Sequence, residues 1–544
     1  MQTLLRLWRT VRHMRWRQIA YRLYYKGFAL RVRPLGVLPL RAWPSAAPWP
    51  AWQAQSVWSD GICQFLRQTH TLRVPQDWNT AERSKLWLYN LHYLDELSSA
   101  QAGERRSMHA LWWQRWLAEN PPGWGNGWEP YPLSLRIVNL VKWWSGEKEA
   151  PAETWVASLV LQVQWLVARK EYHLLGNHLL ANAKAMVFAG AFLDGAQAEA
   201  WLADGLAILD EQLAEQFLND GAHFELSPMY HATMLWDLCE LLHLTAQIAL
   251  PSLLERQTAW MDLVRCGLRW MQTMTHPDGR IAFFNDAAWG GAPDLSDLQR
   301  YARQLGVADS EDTDAQTLRM RPCDASGYVR MEAGAQTVVI ADVARIGPDY
   351  LPGHAHADTL SFEFSLHGQR LLVNSGTSEY GDGPERNRQR GTAAHNTVQL
   401  AGVDSSEMWG GFRVGRRAYP CHVTLHADAD ALQLRAGHTG YRWLGGMHQR
   451  SWRLEHSALL VEDSVQGESP MAFFHFHPDI RLERIAQRTV QLQVGDRKIA
   501  TLECSAGQLH LEAGTWHPAF GQVVPNLRLR VAFDGSRLQT RIYW

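Results

Sequence analysis

The apolar pattern of this chain changes period once, and that change constrains the fold more than any other feature. Between about residues 76 and 310, apolar residues recur every three or four positions, as in ETWVASLVLQVQWLVARKEY, AEAWLADGLAILDEQLAEQFL and ATMLWDLCELLHLTAQIAL. That spacing lines one face of a helix. From about residue 325 the period becomes two. TLSFEFSL sets Leu360, Phe362, Phe364 and Leu366 against Thr359, Ser361, Glu363 and Ser365, and VQLQV, LRLRVAF and RLQTRIYW behave alike. Glycine-bearing turns, VGDRK and FDGSR, separate these strands and predict hairpins.

Successive helices with short polar connections predict a helical toroid or bundle. Strands with no helices between them predict an antiparallel sandwich. With 544 residues the chain is too long for one core and is expected to be multidomain, α and β. The divisions expected are a basic arm over 1–59, an α/α toroid (an incomplete helical barrel) over 60–320 and an antiparallel β-sandwich over 321–544. The join falls in the charged stretch GVADSEDTDAQTLRMRP, residues 306–322.

Charge is unevenly spread. Residues 1–59 carry ten Arg/Lys and no acid, so the remaining 43 basic and 55 acidic residues balance at −12. The opening MQTLLRLWRTVRHMRWRQIAYRLYYK interrupts every apolar run with arginine, which excludes the h-region of a signal peptide. It suits a packing arm with a solvated basic face, an acid-poor organellar presequence, or peripheral contact with an anionic membrane. A cytoplasmic place, at the inner membrane surface, is expected; the alternative is periplasmic. No stretch approaches the length of a membrane span. The 27 tryptophans suggest core filling for most and sugar stacking for some. Six scattered cysteines without a CxxC argue against a cysteine metal site or a disulfide framework. No phosphate-binding glycine loop occurs, so neither a nucleotide cofactor nor a nucleic-acid partner is expected.

Four clusters carry side chains suited to chemistry. In LLGNHLLANA, Asn177 and His178 open a helix; taken alone, Asn177 is a cap and His178 a surface residue. In FELSPMYHATML, Pro228 starts a helix whose first turn holds Tyr230 and His231. GHAHADTLSFEFSLHGQRLLVNSGT places His354 and His356 at the mouth of a strand, and ERNRQRGTAAHNTVQL ends with His395 opening another. If strands 359–373 and 396–400 are neighbours, imidazoles from both converge with Asn374, and two imidazoles with an oxygen suit zinc.

These motifs, with GNHLLAN and HPDGRIAFFND, resemble those of the heparinase II/III family of polysaccharide lyases and its alginate-lyase relatives, over residues 170–400. The resemblance implies an α/α toroid followed by a β-sandwich, with a cleft between them. It also implies β-elimination at a uronic acid: a base removes the C5 proton and the glycosidic oxygen leaves C4. Asn177 and His178 match the pair that neutralises the uronate carboxylate. Tyr230 matches the catalytic tyrosine, and His354 the histidine from the sandwich. His356, Asn374 and His395 match a structural zinc site, with a departure: the family commonly carries LVDxGT, and this chain has LVNSGT, whose amide is a neutral, poorer ligand.

Arg136, His231, Tyr380, Arg386 and Arg390 are further candidates for substrate contact, arginine being suited to bidentate carboxylate recognition. Trp124 and Trp128 in GWGNGW are candidates for sugar stacking. The expected partner is an anionic polysaccharide, and the acidic body favours a sparsely charged bacterial one over a sulfated chain. Two rivals stand beside the lyase: a glycoside hydrolase using Glu225 and Asp286, and a non-lyase carbohydrate-handling protein of surface-polysaccharide biosynthesis.

Overall fold

The structure is a computed structural model that describes residues 2–28, 30, 32–44, 47–147, 149–307 and 317–544. Most of the predicted junction, residues 308–316, lies outside them. The first half is helical, as expected, with long helices at Glu153–Ala168, Gly176–Phe192, Ala196–Gln216, Pro228–Ile248 and Gln257–Thr273. One helix begins later than its apolar run suggests. Ser84 caps Lys85–Tyr93 by accepting a hydrogen bond from the Trp87 amide at 3.2 Å.

Two more helices, Arg106–Glu119 and Pro130–Ser145, do not stand out by period. In the first, Trp112, Trp113 and Trp116 are buried while the neighbouring Leu111 is exposed. The second is buried on nearly every side from Pro132 to Ser145, so it has no polar stripe to contrast with an apolar one.

The second half is antiparallel sheet. Leu318–Cys323, Tyr328–Ala333, Val338–Asp342, Phe362–Leu366 and Gln369–Leu372 form a five-stranded meander. Beyond it lie an eight-stranded sheet and a four-stranded sheet whose apolar faces share one core, including Phe362, Phe364, Trp452, Phe474 and Leu529. VGDRK makes the expected hairpin between Thr489–Val494 and Arg497–Cys504. FDGSR does not. It carries the chain from Val524–Ala532 in the four-stranded sheet to Arg537–Tyr543 in the eight-stranded one.

The polar face of TLSFEFSL is not solvated either: all of Phe362–Leu366 is buried. Its polar side meets the helical half, where His276 bonds Ser365 Oγ at 2.7 Å and Glu363 at 3.1 Å, and Arg370 reaches Glu363 at 3.2 Å. Burial pushes the Glu363 carboxyl up to about 7, against the pull of Arg370. This sheet therefore faces the helical half across a buried polar seam.

The N-terminal residues pack along both halves. Helix α1 (Gln2–Val11) lays Arg6 and Arg9 on Glu407 of the sheet-rich half. In α2 (Trp16–Gly27) the Gln18 amide donates to the carbonyls of Leu174 and Tyr350, both at 3.2 Å. Further on, Trp49 stacks on His243 at 4.4 Å.

Candidate active site

Asp286, in the loop after the last long helix, organises the site. It is fully buried and ion-paired to Arg386, whose guanidinium spans both carboxylate oxygens. Oδ2 accepts from His354 Nδ1 at 2.9 Å, and Oδ1 from His356 Nε2 at 2.9 Å. Burial alone would raise this carboxyl. Arg386 and the two imidazole donors outweigh it and hold Asp286 well below the usual carboxylate range. With Nδ1 committed to Asp286, Nε2 is the His354 nitrogen that turns toward Glu225.

Nε2 of His354 lies 3.6 Å from Glu225 Oε2, a buried oxygen without a hydrogen-bond partner among the described residues. The other oxygen, Oε1, accepts from the Asn177 side chain at 2.8 Å. The helix bearing Asn177 begins with Leu175 and Gly176 at φ 70° and 60°. Gly176 sits in the left-handed region that favours glycine, and a Cβ there would meet the Leu351 side chain. His178 donates to Glu171 at 2.9 Å and leans on Tyr131, centroids 4.5 Å apart. Burial pulls its pKa down, but the Glu171 charge outweighs burial and leaves it raised.

Tyr230 lies in the first turn after Pro228, held by Ser227, whose hydroxyl accepts from its amide at 3.2 Å. Its ring lies 3.9 Å from that of His354, centroid to centroid, and its hydroxyl is 2.9 Å from that of Tyr380. Burial, Tyr380 and the Asp286 charge push its phenol well above its ordinary value. Asn177, Glu225, His354, Tyr230 and Tyr380 thus form one connected set, with His178 on the same helix turn as Asn177.

Next to it, His356, Asp358 and His395 form a buried group whose ligand atoms lie within 4.8 Å of one another and could hold a metal ion. His395 Nδ1 donates to the Gly391 carbonyl at 2.9 Å, and His356 Nε2 donates to Asp286. The two remaining nitrogens therefore face each other with lone pairs at 3.1 Å. Burial lowers both imidazoles, His356 to about 4, so neither readily takes a proton to relieve this contact. A cation relieves it, and the donor set of two imidazoles and a carboxylate fits one.

Several expected contacts fall elsewhere. Asn374 is committed to backbone, donating to the Phe283 carbonyl at 2.9 Å and accepting from the Asn396 amide at 3.1 Å, and Asp358 is the oxygen beside the imidazoles. The strands around His356 and His395 are not ladder neighbours: Val398–Gln399 pairs with Met471–His475, and the Asn396 side chain bridges to Phe362 instead. Arg136 is buried among helices, bonded to Gln162 and to the carbonyls of His92 and Gly127. His231 points into the core, linking the His223 amide and the Gly267 carbonyl. Arg386 and Arg390 are fully buried and serve the loops, Arg390 by donating to the Ala355 and Gly411 carbonyls. Trp128 is core, while Trp124 is exposed. Glu225 and Asp286 are absent from the expected contact set, although the site is built on them.

Two family models match in chain order: Heparinase II/III N-terminus over residues 105–305, and Heparinase II/III-like, C-terminal over residues 315–544. The chain is 26% identical over 243 residues to a heparin-sulfate lyase of Bacteroides stercoris, covering 42% of this chain and 36% of that protein. It is 25% identical over 333 residues to a heparin-sulfate lyase of Bacteroides thetaiotaomicron, covering 53% and 47%. The aligned part is thus less than half the length of these relatives. A crystal structure of heparinase III superposes with a TM-score of 0.72 at 18% identity, covering 87% of this chain and 80% of that one. The architecture is that fold, helical toroid followed by antiparallel sandwich.

Proposed function

The chain belongs to the heparinase II/III family, and from that premise we propose that it is a polysaccharide lyase acting on a uronate-containing glycan. The observation that carries this reading is the clamping of His354 between two carboxylates, with its ring against Tyr230. The C5 proton of a uronate is weakly acidic, so three things are needed: a base at C5, a charge partner for the carboxylate, and a proton for the leaving oxygen. His354 Nε2, its tautomer fixed by Asp286, supplies the base. The Asn177 amide and the charged form of His178 face the carboxylate. Tyr230, with its phenol held well above the ordinary value, keeps its proton at neutral pH and supplies it to the glycosidic oxygen. Tyr380, hydrogen-bonded to that hydroxyl, aims it.

Zinc is the metal that His356, Asp358 and His395 would suit, and it would act as a structural tie. It would fix the segment that carries His354, two residues before the first of these ligands.

A hydrolase would need two carboxyls facing the bond from opposite sides. Asp286 is instead buried against Arg386, and Glu225 and Asp286 both flank one imidazole, that of His354. The test is ultraviolet absorbance during incubation with a panel of uronate polymers, beside a Tyr230→Phe control. Elimination creates a conjugated unsaturated uronate. Growth of that signal in wild type alone is expected, and new reducing ends without it would sink the lyase reading.

A further inference from the structure

Resting on that reading, we propose that α1 and the sandwich form a second anion-binding site, which holds a carboxylate-bearing stretch of the same glycan outside the catalytic cleft. A cavity of about 470 Å³ lies between them, lined by Arg9, Arg12, His13, Arg416, Arg417 and Arg442. The acids facing it are Glu407, which takes Arg6, Arg9 and, at 3.7 Å, Arg416, and Asp349, which takes Arg417. Arg12 and Arg442 are exposed and make no ion pair among the described residues. Six guanidiniums, Arg6 and the five that line the cavity, thus stand against two carboxylates, on a body that is otherwise net acidic. A volume of this order suits one or two sugar units.

The wall is also suited to carbohydrate. Trp443 is half-exposed at the rim with Arg416 stacked on it at 4.2 Å, and the Tyr419 hydroxyl lies 2.9 Å from Asp349. An aromatic face beside a guanidinium offers both a sugar platform and a carboxylate partner.

Two elements connect the cavity to the cleft. The hairpin of Met408–Trp409 and Arg413–Val414 carries Phe412, whose ring edges onto His354 and Tyr380 at 6.3 and 5.4 Å. The same hairpin meets α1, since Trp409 Nε1 donates to Thr10 at 3.2 Å. The loop leading to His354 gives its Asp349 carbonyl to Arg417 at 2.9 Å. A chain leaving the cleft across Phe412 runs onto this patch. Arg9, Arg12 and His13 come from residues outside both matched family stretches, while Arg416, Arg417 and Arg442 lie within the C-terminal one.

The experiment is calorimetric titration of full-length protein carrying Tyr230→Phe, which binds without cleaving. The probes are long chains and tetrasaccharides of polyglucuronate, heparosan and heparan sulfate, each tested with and without the exposed charge reversals Arg12→Glu and Arg442→Glu. The expected result is tighter binding of long chains, lost by on the order of tenfold in the double variant as two charge-assisted contacts turn repulsive. Tetrasaccharide affinity should move little. Arg442→Gln alone, which removes charge without reversing it, should give a smaller loss in the same direction.

A length advantage that is missing for all three polymers, or unmoved by the reversals, overturns the second site. So does loss of binding to phosphatidylglycerol vesicles with glycan binding unchanged, which would assign the patch to a membrane. Failure of the lyase reading is distinguishable: wild type would generate no unsaturated uronate while the length-dependent binding and its loss persisted.

Discussion

Two buried charge networks in this molecule invite comparison. In the helical half, Lys142 and Lys184 meet Asp237 and Glu240: Lys142 bonds Glu240 at 2.6 Å, and Lys184 bonds both acids. Two cations face two anions, and Trp236 adds a donor to Glu240 at 3.1 Å. Burial would raise Glu240, yet the two lysines bring it to about 2. The network is closed, and everything it needs is inside it. At the cleft, Asp286 and Arg386 close on each other, but the surrounding groups do not. His354 Nε2 and Glu225 Oε2 stand 3.6 Å apart with no hydrogen bond to Oε2 among the described residues, and the lone pairs of His356 and His395 face each other. A buried polar group without a partner costs stability, and at this spot a substrate or an ion would complete a carboxylate and imidazoles that lie side by side. Closed charge holds the toroid together; open charge marks the site.

The comparison breaks first at Asp286. Asp286→Asn should cut the rate of elimination by on the order of 10⁴-fold, because the amide can hold His354 in the wrong tautomer. The same change strands Arg386, and urea unfolding should show a loss of roughly 3–5 kcal/mol. Tyr230→Phe sharpens it from the other side. Turnover should fall by about 10²–10⁴-fold for loss of a positioned acid, with the urea midpoint nearly unchanged.

Lys184→Met is the converse. Leaving Asp237 and Glu240 short of a cation should cost roughly 3–5 kcal/mol in urea unfolding, while kcat per folded molecule stays at the wild-type value. An equal loss of kcat would erase the distinction between the two networks.

The smallest effect is in pH. Burial lowers the toroid imidazoles His92 and His231 to about 3 and about 4. Both stay neutral in the fold, while the unfolded chain protonates near 6.5. Between those values the unfolded state binds more protons, so stability is intact above about pH 6.5 and declines as pH falls toward 4. His231→Gln should flatten that slope, removing up to roughly 3 kcal/mol of the pH dependence.

Period alone was enough to divide helices from strands, because each half buries apolar residues on a regular face. In TLSFEFSL, alternation reports only that two faces differ. Here the polar face is buried against His276 and Arg370 rather than wetted. Motif likeness pointed to Asn177, His178, Tyr230 and His354; contacts through Glu225 link Asn177 to His354, whose ring lies against Tyr230, while His178 turns to Glu171. It misassigned Arg136, His231 and Trp128, since a side chain's direction depends on packing that spacing does not encode. Asn374 illustrates a subtler limit. The chain carries an amide where the family carries a carboxylate, and Asp358, sixteen positions earlier, stands beside the imidazoles instead. The acid was visible in GHAHADTL, two residues past His356, a spacing that puts it within reach of the same ion.

The central claim is that base and acid are separate residues, His354 and Tyr230. The measurement that tests it most directly is deuterium incorporation at C5 of a uronate polymer that wild type cleaves, followed in heavy water by mass spectrometry with Tyr230→Phe and His354→Ala. Tyr230→Phe should wash deuterium into uncleaved chains, while His354→Ala should give neither exchange nor cleavage. Exchange that vanishes in Tyr230→Phe but survives in His354→Ala would contradict it and make the tyrosine the base.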